Sequence, residues 1–274
     1  MKKFNSKKVL ITGAASGIGK ETAILFAKEK ANLILVDVNL EGVSALANLL
    51  EKTGVSATPY VCDISEPEQV ERLANDIHEK FGSLDILINN AGIGVAGRFL
   101  NTKLETWTKT MNINFMGAVH FCYYFIPKMI EDKKPAYIVN VSSASAFVPT
   151  KEMPIYASSK CALLGFSEAL RSDLAQHNIG VSAVCPGLIN TPIINNTLIE
   201  GEEKSAAKFK KSAIKMYRRR NYPPSKVAEA ILKSIQKEKA VYPVSPEAWF
   251  MYLTKRFIPM FWYQMTKFKM LNQI

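Results

Sequence analysis

Histidine and cysteine are scarce in this chain, and neither falls in a useful pattern. The three histidines, His78, His120 and His177, stand far apart without ligand spacing, so no metal centre is expected. The four cysteines, Cys62, Cys122, Cys161 and Cys185, are equally dispersed on segments that read as core. Neither a zinc site nor a disulfide framework follows from them. They read as small buried residues of a reducing compartment. No uninterrupted apolar run approaches the roughly 20 residues that a membrane-spanning helix needs. No signal peptide is expected, because the basic N-terminal residues lead directly into an apolar run too short for a secretory segment. Internal repeats and low-complexity stretches are missing too. The expected location is cytoplasmic, with association with the inner face of a membrane left open.

What is present is a chain of 274 residues with 48% apolar side chains, enough for one α/β domain or two small ones. Short apolar runs alternate with helical periodicity from end to end. Strands read at Val9 to Ile11, Leu33 to Val36, Ala57 to Cys62, Leu84 to Asn89, Ala136 to Val141, Val181 to Cys185 and Ala240 to Tyr242. Helical patterns lie between them, notably Leu104 to Ile130 and Ile155 to Gln176, with Pro127 placed to kink or stop the first of these. This order predicts a Rossmann-type, doubly wound, seven-stranded and mostly parallel sheet with helices on both faces. We expect a single domain over residues 1–248, with a substrate lid over 192–222 and a basic, aromatic C-terminal extension over 249–274.

The first strand runs into Thr12-Gly13-Ala14-Ala15-Ser16-Gly17-Ile18-Gly19-Lys20, and a helical pattern follows through Ala23, Phe26 and Ala27. Strand, glycine turn and helix together aim backbone N–H groups and a helix N-terminus at a pyrophosphate. The spacing is G-x-x-x-G-x-G. It is not a phosphate loop of the ATPase kind, because Glu21 follows Lys20 where a magnesium-holding Ser or Thr would stand. The second strand ends at Asp37, about 20 residues beyond the glycines, where a carboxylate accepts hydrogen bonds from a ribose diol and repels a 2′-phosphate. No basic residue stands at 38 or 39, and Ser16 occupies a loop position where one would help. The expected cofactor is NAD(H) rather than NADP(H).

Farther on stands Tyr156-Ala157-Ser158-Ser159-Lys160. Residues four apart share a helix face. A phenol titrates near 10, and a nearby cation lowers that value. Reaching about 7 would take about 4 kcal/mol of differential stabilisation, a plausible contribution from Lys160 together with a second positive charge such as an oxidised nicotinamide. By itself the pair is a weak signal. In company with the glycine turn, Asp63, Asn89-Asn90-Ala91-Gly92, Asn114, Ser142-Ser143 and Pro186-Gly187 with Thr191, it is not. Taken in this order, these pieces make the chain resemble the short-chain dehydrogenase/reductase family over roughly 180 residues, most of a domain.

The resemblance implies the roles. Tyr156 is the acid–base residue and Lys160 its modulator and ribose ligand. Ser143, thirteen residues before the tyrosine, is chosen over Ser142 and Ser145 to hold the substrate oxygen. Asn114 holds a water against the lysine. Gly13, Ser16, Gly17, Ile18 and Gly19 line the pyrophosphate, and Asp63 and Ile64 flank the adenine. Asn90, Ala91 and Gly92 support the central strand and the cofactor loop. Pro186, Gly187, Ile189 and Thr191 face the nicotinamide, and Thr191 hydrogen-bonds the nicotinamide amide. An apolar wall of Ile93, Val95, Phe147, Val148, Met153, Leu188 and Ile193 suggests a lipophilic secondary alcohol or ketone as substrate. A 3-oxoacyl-carrier reductase is the competing enzyme, and a non-catalytic dinucleotide sensor is the competing class. The retained Tyr156/Lys160 pair argues against the sensor.

Charge is unevenly spread. The net charge is +11, yet residues 1–200 are neutral, with 19 basic and 19 acidic side chains. Residues 201–220 carry 8 basic and 2 acidic side chains, and residues 249–274 carry 4 basic and none acidic. Within the second segment the longest apolar run, Phe257 to Tyr263, contains Pro259 and is too short to span a bilayer. The segment packs on its own domain or across a homo-oligomer interface, or it lies on an anionic membrane surface as a peripheral contact. Nucleic acid is not an expected partner, since such sites set basic and aromatic residues on a dedicated platform.

The reading of Asp37 is open to a direct test. Asp37→Ser combined with Val38→Arg removes the carboxylate and adds a cation, so preference should move toward NADP(H). Comparative turnover with both cofactors measures it. An unmodified protein that already binds NADPH more tightly than NADH would defeat the assignment.

Overall fold

The computed structural model describes residues 1–267 apart from 2, 195 and 202. Among the described residues nine strands and ten α-helices form; the strands are β1 (Lys8–Thr12), β2 (Asn32–Asp37), β3 (Ala57–Val61), β4 (Ile86–Asn89), β5 (Val95–Ala96), β6 (Ala136–Val141), β7 (Ile179–Cys185), β8 (Leu198–Ile199) and β9 (Val241–Pro243). The helices join them: α1 (Gly17–Lys28), α2 (Leu40–Glu51), α3 (Pro67–Phe81), α4 (Leu104–Met111), α5 (Gly117–Glu131), α6 (Pro154–Leu174), α7 (Glu203–Arg220), α8 (Pro224–Gln236), α9 (Pro246–Phe257) and α10 (Pro259–Lys267). Seven strands make one sheet in the order β3-β2-β1-β4-β6-β7-β9, and every pairing is parallel. The expected doubly wound sheet is therefore present, without an antiparallel edge.

Both faces of the sheet are covered, and its alternation divides one strand between two cores. Val9 and Ile11 pack with Ala23 and Phe26 of α1, Leu46 and Leu50 of α2, and Ile231 and Ile235 of α8. Leu10, between them, packs instead with Val70 and Ile77 of α3 and with Phe121 and Phe125 of α5. In β6, Tyr137 and Val139 join the first core, and Ala136 and Ile138 the second. Strand order reverses between β1 and β4, and there the carboxyl ends of the strands open a crevice.

Three details depart from the sequence reading. The helical stretch from Leu104 is continuous but interrupted by a π-helical turn at Asn112–Met116, a local widening that often marks functional sites. Pro127 does not stop the helix, which continues to Glu131; with less than two turns remaining, one missing N–H is tolerable. The sequence also gave no hint of the small sheet in which β5 pairs with β8. That sheet buries Val95 completely, so Val95 belongs to the core under the lid and not to an open substrate wall.

The expected extension forms helices as far as it is described, and residues 268–274 lie outside the described part. The expected boundary at residue 248 falls inside α9. None of the helices among the described residues is long and apolar enough to cross a membrane.

A buried polar chain ties β4, β6 and α6 together behind the crevice. Asn89 Nδ2 donates to Asn140 Oδ1 at 2.8 Å, Asn140 Nδ2 donates to Ser167 Oγ at 2.9 Å, and Ser167 Oγ donates to the Leu163 carbonyl at 2.6 Å. Among the described residues Asn89 Oδ1 has no partner, so the Asn89 amide is held by this link and by a longer bond from Nδ2 to Cys122 Sγ at 3.5 Å. Asn140→Ala should cost about 1–3 kcal/mol, the penalty for stranding a buried polar group. The measurement is the urea midpoint of unfolding; an unchanged midpoint would show that the chain contributes nothing to stability.

Candidate active site

The crevice is built by the residues that end β1, β4, β6 and β7. After Thr12 the chain turns through Gly13, at φ +66°, where a Cβ would lie 2.8 Å from Ala91 Cα. Gly17 opens α1 at φ +53°, and a Cβ on Gly19 would collide with the Gly13 carbonyl. Only glycine permits this close approach of loop and helix. Ser16 stands at the N-cap but makes no side-chain capping bond, and the first turn, with Ile18, holds no acidic residue. The first N–H groups of α1 thus meet neither a side-chain cap nor a carboxylate of their own, which suits a pyrophosphate.

The loop is held from both sides. Asp37 Oδ2 accepts from Ala15 N at 2.9 Å, and Oδ1 accepts from Asn39 N at 3.0 Å, which fixes the carboxylate beside the glycine turn. Across the strand reversal, Thr12 Oγ1 accepts from Asn90 N at 3.0 Å and Ala91 N at 3.1 Å. Asn90 Nδ2 returns bonds to the carbonyls of Thr12 at 2.9 Å and Gly13 at 3.2 Å. Asp63 Oδ1 accepts from Ser65 N at 2.9 Å and Ser65 Oγ at 2.7 Å, which shapes the loop after β3. Ile64 buries its side chain against Gly117, while its carbonyl lies 3.0 Å from His120 Nδ1.

At the other side of the crevice, α6 delivers Tyr156 and Lys160. The Lys160 ammonium lies 5.9 Å from the centroid of the Tyr156 ring and donates to the Val141 carbonyl at 3.0 Å. Burial holds Lys160 below the usual lysine range, at about 8. Burial also pushes the Tyr156 phenol up, while a hydrogen bond with Ser143 pulls it down. The expectation of a depressed phenol is thus reversed in the protein alone, where loss of water around the ring is the largest influence.

The three candidate serines separate by their bonds. Ser142 Oγ donates to the Lys160 carbonyl at 2.8 Å and secures α6. Ser145 offers its backbone N–H to Ser143 Oγ at 3.1 Å. Ser143, bonded to Tyr156, is the one beside the phenol. Asn114 sits in the π-helical turn, and its side chain is committed to neighbours: Oδ1 accepts from Ile93 N at 2.8 Å, and Nδ2 donates to Ile93 O at 3.0 Å and Ser159 Oγ at 3.2 Å. Its amide props the loop after β4. Gly92 is the close neighbour of both, since a Cβ there would lie 2.9 Å from Asn114 Oδ1 and 3.4 Å from Lys160 Nζ.

The loop after β7 completes the enclosure. The Pro186 carbonyl accepts from Ala144 N at 2.7 Å, and Ile189 is buried in the first core. Thr191 faces the glycine turn, 3.4 Å from where a Cβ on Gly17 would stand. Tyr217 of α7 is pushed up by burial and next by the Tyr156 phenol, which places α7, in the segment expected as a lid, close to Tyr156. Phe147 packs on Tyr252 of α9, with ring centroids 5.1 Å apart.

One contributor escaped the sequence reading. Glu247, in the first turn of α9, accepts from Leu188 N at 3.2 Å through Oε1 and pairs with Arg220 Nη2 at 3.1 Å through Oε2. It clamps the loop after β7 to the end of α7. Burial raises its pKa, but bonds from its own backbone, Ser245, Arg220 and Leu188 together hold it below the usual range. Ser245-Pro246 announces a helix start, but nothing in sequence announces a contact 59 residues away. Glu247→Ala should loosen dinucleotide binding by about tenfold, the equivalent of about 1.4 kcal/mol and in the range of one charge-assisted hydrogen bond. Glu247→Gln, which keeps an acceptor for Leu188 N, should recover part of it. Fluorescence titration with NADH reads both; equal affinity in all three proteins would deny the clamp a role.

Comparison with known proteins agrees with this geometry. The family model described as short chain dehydrogenase matches residues 7–200. The probable oxidoreductase EphD of Mycobacterium tuberculosis is 38% identical over 259 residues, which cover 93% of this chain and 44% of that protein. The chain thus spans less than half the length of these curated relatives. The 3-oxoacyl-[acyl-carrier-protein] reductase FabG of Thermotoga maritima is 36% identical over 191 residues, covering 70% of this chain and 77% of the reductase. A short-chain dehydrogenase/reductase from Burkholderia phymatum, solved in complex with NAD, superposes with a TM-score of 0.87 at 27% identity, covering 95% of this chain and 96% of the other. With the glycine turn, the Ser143–Tyr156–Lys160 cluster and the seven-stranded parallel sheet all in place, the chain belongs to the short-chain dehydrogenase/reductase family of oxidoreductases.

Proposed function

We propose that this protein interconverts a lipophilic secondary alcohol and its ketone with NAD(H). The observation that carries the reading is Tyr156 hydrogen-bonded to Ser143 with the Lys160 ammonium beside its ring, at the same crevice as an uncapped glycine turn. Bound nicotinamide would supply the hydride acceptor or donor at this place. Gly17, Ile18 and Gly19 would hold the pyrophosphate with their N–H groups, and Lys160 and Asp37 would hold the two riboses. The preference for NAD(H) rests on Asp37, whose carboxylate lies on the glycine turn with Val38 and Asn39 following it.

The side chains divide the remaining work. Ser143 Oγ, already accepting from Ser145 N, has its own proton to give to the substrate oxygen as charge develops there. Tyr156 Oη gives its proton to a ketone, or takes one from an alcohol. Because burial keeps the phenol protonated near neutral pH, reduction finds the right form at once, whereas oxidation needs that proton removed. Oxidation should therefore accelerate as pH rises above neutrality. The apolar side of the crevice, with Ile93, Val148, Met153, Leu188 and Ile193 all partly exposed and Phe147 behind them, favours a lipophilic substrate. A homo-oligomer is the assembly we propose.

A second enzyme reading, a 3-oxoacyl-carrier reductase, draws on the likeness to the Thermotoga reductase and on the basic α7, where Lys210, Lys211, Lys215 and Arg219 are exposed to an acidic carrier. Asp37 speaks for the first reading, since such reductases usually prefer NADP.

A turnover screen of secondary alcohols, steroids, long-chain ketones and a 3-oxoacyl thioester, each with NAD(H) and NADP(H), decides between them. On the best substrate, Tyr156→Phe should lose at least about a hundredfold in turnover, the usual scale for a general acid–base group, while NADH binding survives. Near-normal turnover in that variant would sink the mechanism.

A further inference from the structure

Helix α9 has two apolar faces, and among the described residues only one is packed against the fold. Ala248, Met251 and Tyr252 turn inward and pack with Phe147, Val148 and Cys185 beside the catalytic loop. Trp249, Phe250, Leu253 and Phe257, spaced to share the opposite side, turn outward. Past Pro259, α10 adds further exposed apolar side chains. Phe250 is 54% exposed, Leu253 44%, Phe257 73%, Ile258 58%, Met260 60% and Phe261 37%. The two helices form a built unit. Trp262 Nε1 donates to Thr254 Oγ1 at 2.8 Å, and the rings of Phe250 and Trp262 lie 6.1 Å apart. So much contiguous apolar surface marks a contact site.

Charge selects what covers it. Residues 249–274 include Lys255, Arg256, Lys267 and Lys269 and no acidic residue. Arg256 is exposed at the end of α9. A second copy docking about a two-fold axis would set this basic segment against itself, and the segment contains no acidic residue to answer it. An anionic bilayer answers both features, since acyl chains take the aromatic and aliphatic side chains and headgroup phosphates take the cations. Neither helix can span the bilayer, so the hairpin lies in the interface. We propose that the outward face of α9 and α10 docks this protein on an anionic lipid surface. Glu247 and Tyr252 carry the docked helix directly to the loop after β7 and to Phe147, so docking places the crevice next to the layer where a lipophilic substrate dissolves.

Flotation of the full chain with phosphatidylcholine vesicles, and with vesicles containing 30% phosphatidylglycerol, tests the proposal. Binding should be strong only to the anionic vesicles, should weaken at high salt, and should shift tryptophan emission to the blue as Trp249 leaves water. Phe257→Ser with Phe261→Ser should lower the bound fraction at least tenfold, and so should Arg256→Glu with Lys255→Glu. All these positions lie on α9 and α10, away from the catalytic cluster, and circular dichroism checks that the variants fold. Three results would overturn the proposal: no binding to anionic vesicles, binding that the substitutions leave intact, or a light-scattering mass showing a dimer that the Phe257/Phe261 variant dissociates. The last would assign the face to a second copy of this chain.

Discussion

The bonds across the strand reversal, between Thr12 and the Asn90–Ala91 peptide, are the constraint on which the active end of the molecule depends. A parallel sheet leaves the carboxyl ends of its strands without a natural closure, and at the reversal two adjacent ends diverge. One hydroxyl accepting two peptide N–H groups, with Asn90 returning two bonds to carbonyls, converts that gap into a fixed frame. The glycine turn is set on this frame at contact distance from Ala91. Gly92, the next residue, sets the spacing of Asn114 and Lys160. The glycine turn and the placement of Asn114 and Lys160 therefore share one support.

Burial is the second governing influence, and it acts in opposite directions on the catalytic pair. It raises the phenol of Tyr156 and lowers the ammonium of Lys160, because in each case it penalises the charged form. The protein alone thus holds a protonated tyrosine beside a lysine that burial lowers to about 8. A positive charge arriving in the crevice would favour the phenolate, so the chemistry of such a site is tuned by what binds there as much as by the lysine. Ser143 is the one side chain that already pulls the phenol down in the protein alone.

The C-terminal helices are joined to the same site. Glu247 joins α9 to the loop after β7 and to the end of the lid helix, and Tyr252 stacks near Phe147. A surface on the outer side of α9 is therefore one helix diameter from the wall of the crevice. The asymmetry of charge has its place here too: the neutral first 200 residues supply six of the seven strands of the main sheet together with Ser143, Tyr156 and Lys160, and the basic segments make α7 and the helical hairpin.

How much was legible follows from the range of each interaction. The sheet, its seven strands, the glycine turn and the Tyr156/Lys160 face could be read from sequence because they rest on local rules: period-two burial, turns that require glycine, and helical neighbours four apart. The choice of Ser143 came from resemblance; in the structure Ser142 is committed to the α6 backbone, and Ser143 is the serine bonded to Tyr156. Other features depend on contacts between residues distant in the chain, and only the tertiary structure decided them. The π-helical turn that aims Asn114 at Ile93, the burial of Val95 under β8, the diversion of Ile64 into the core and the Glu247 clamp are of this kind. The direction of the Tyr156 shift belongs with them. Sequence showed the cation that would lower the phenol, but the loss of water that raises it exists only once the chain has closed around the ring.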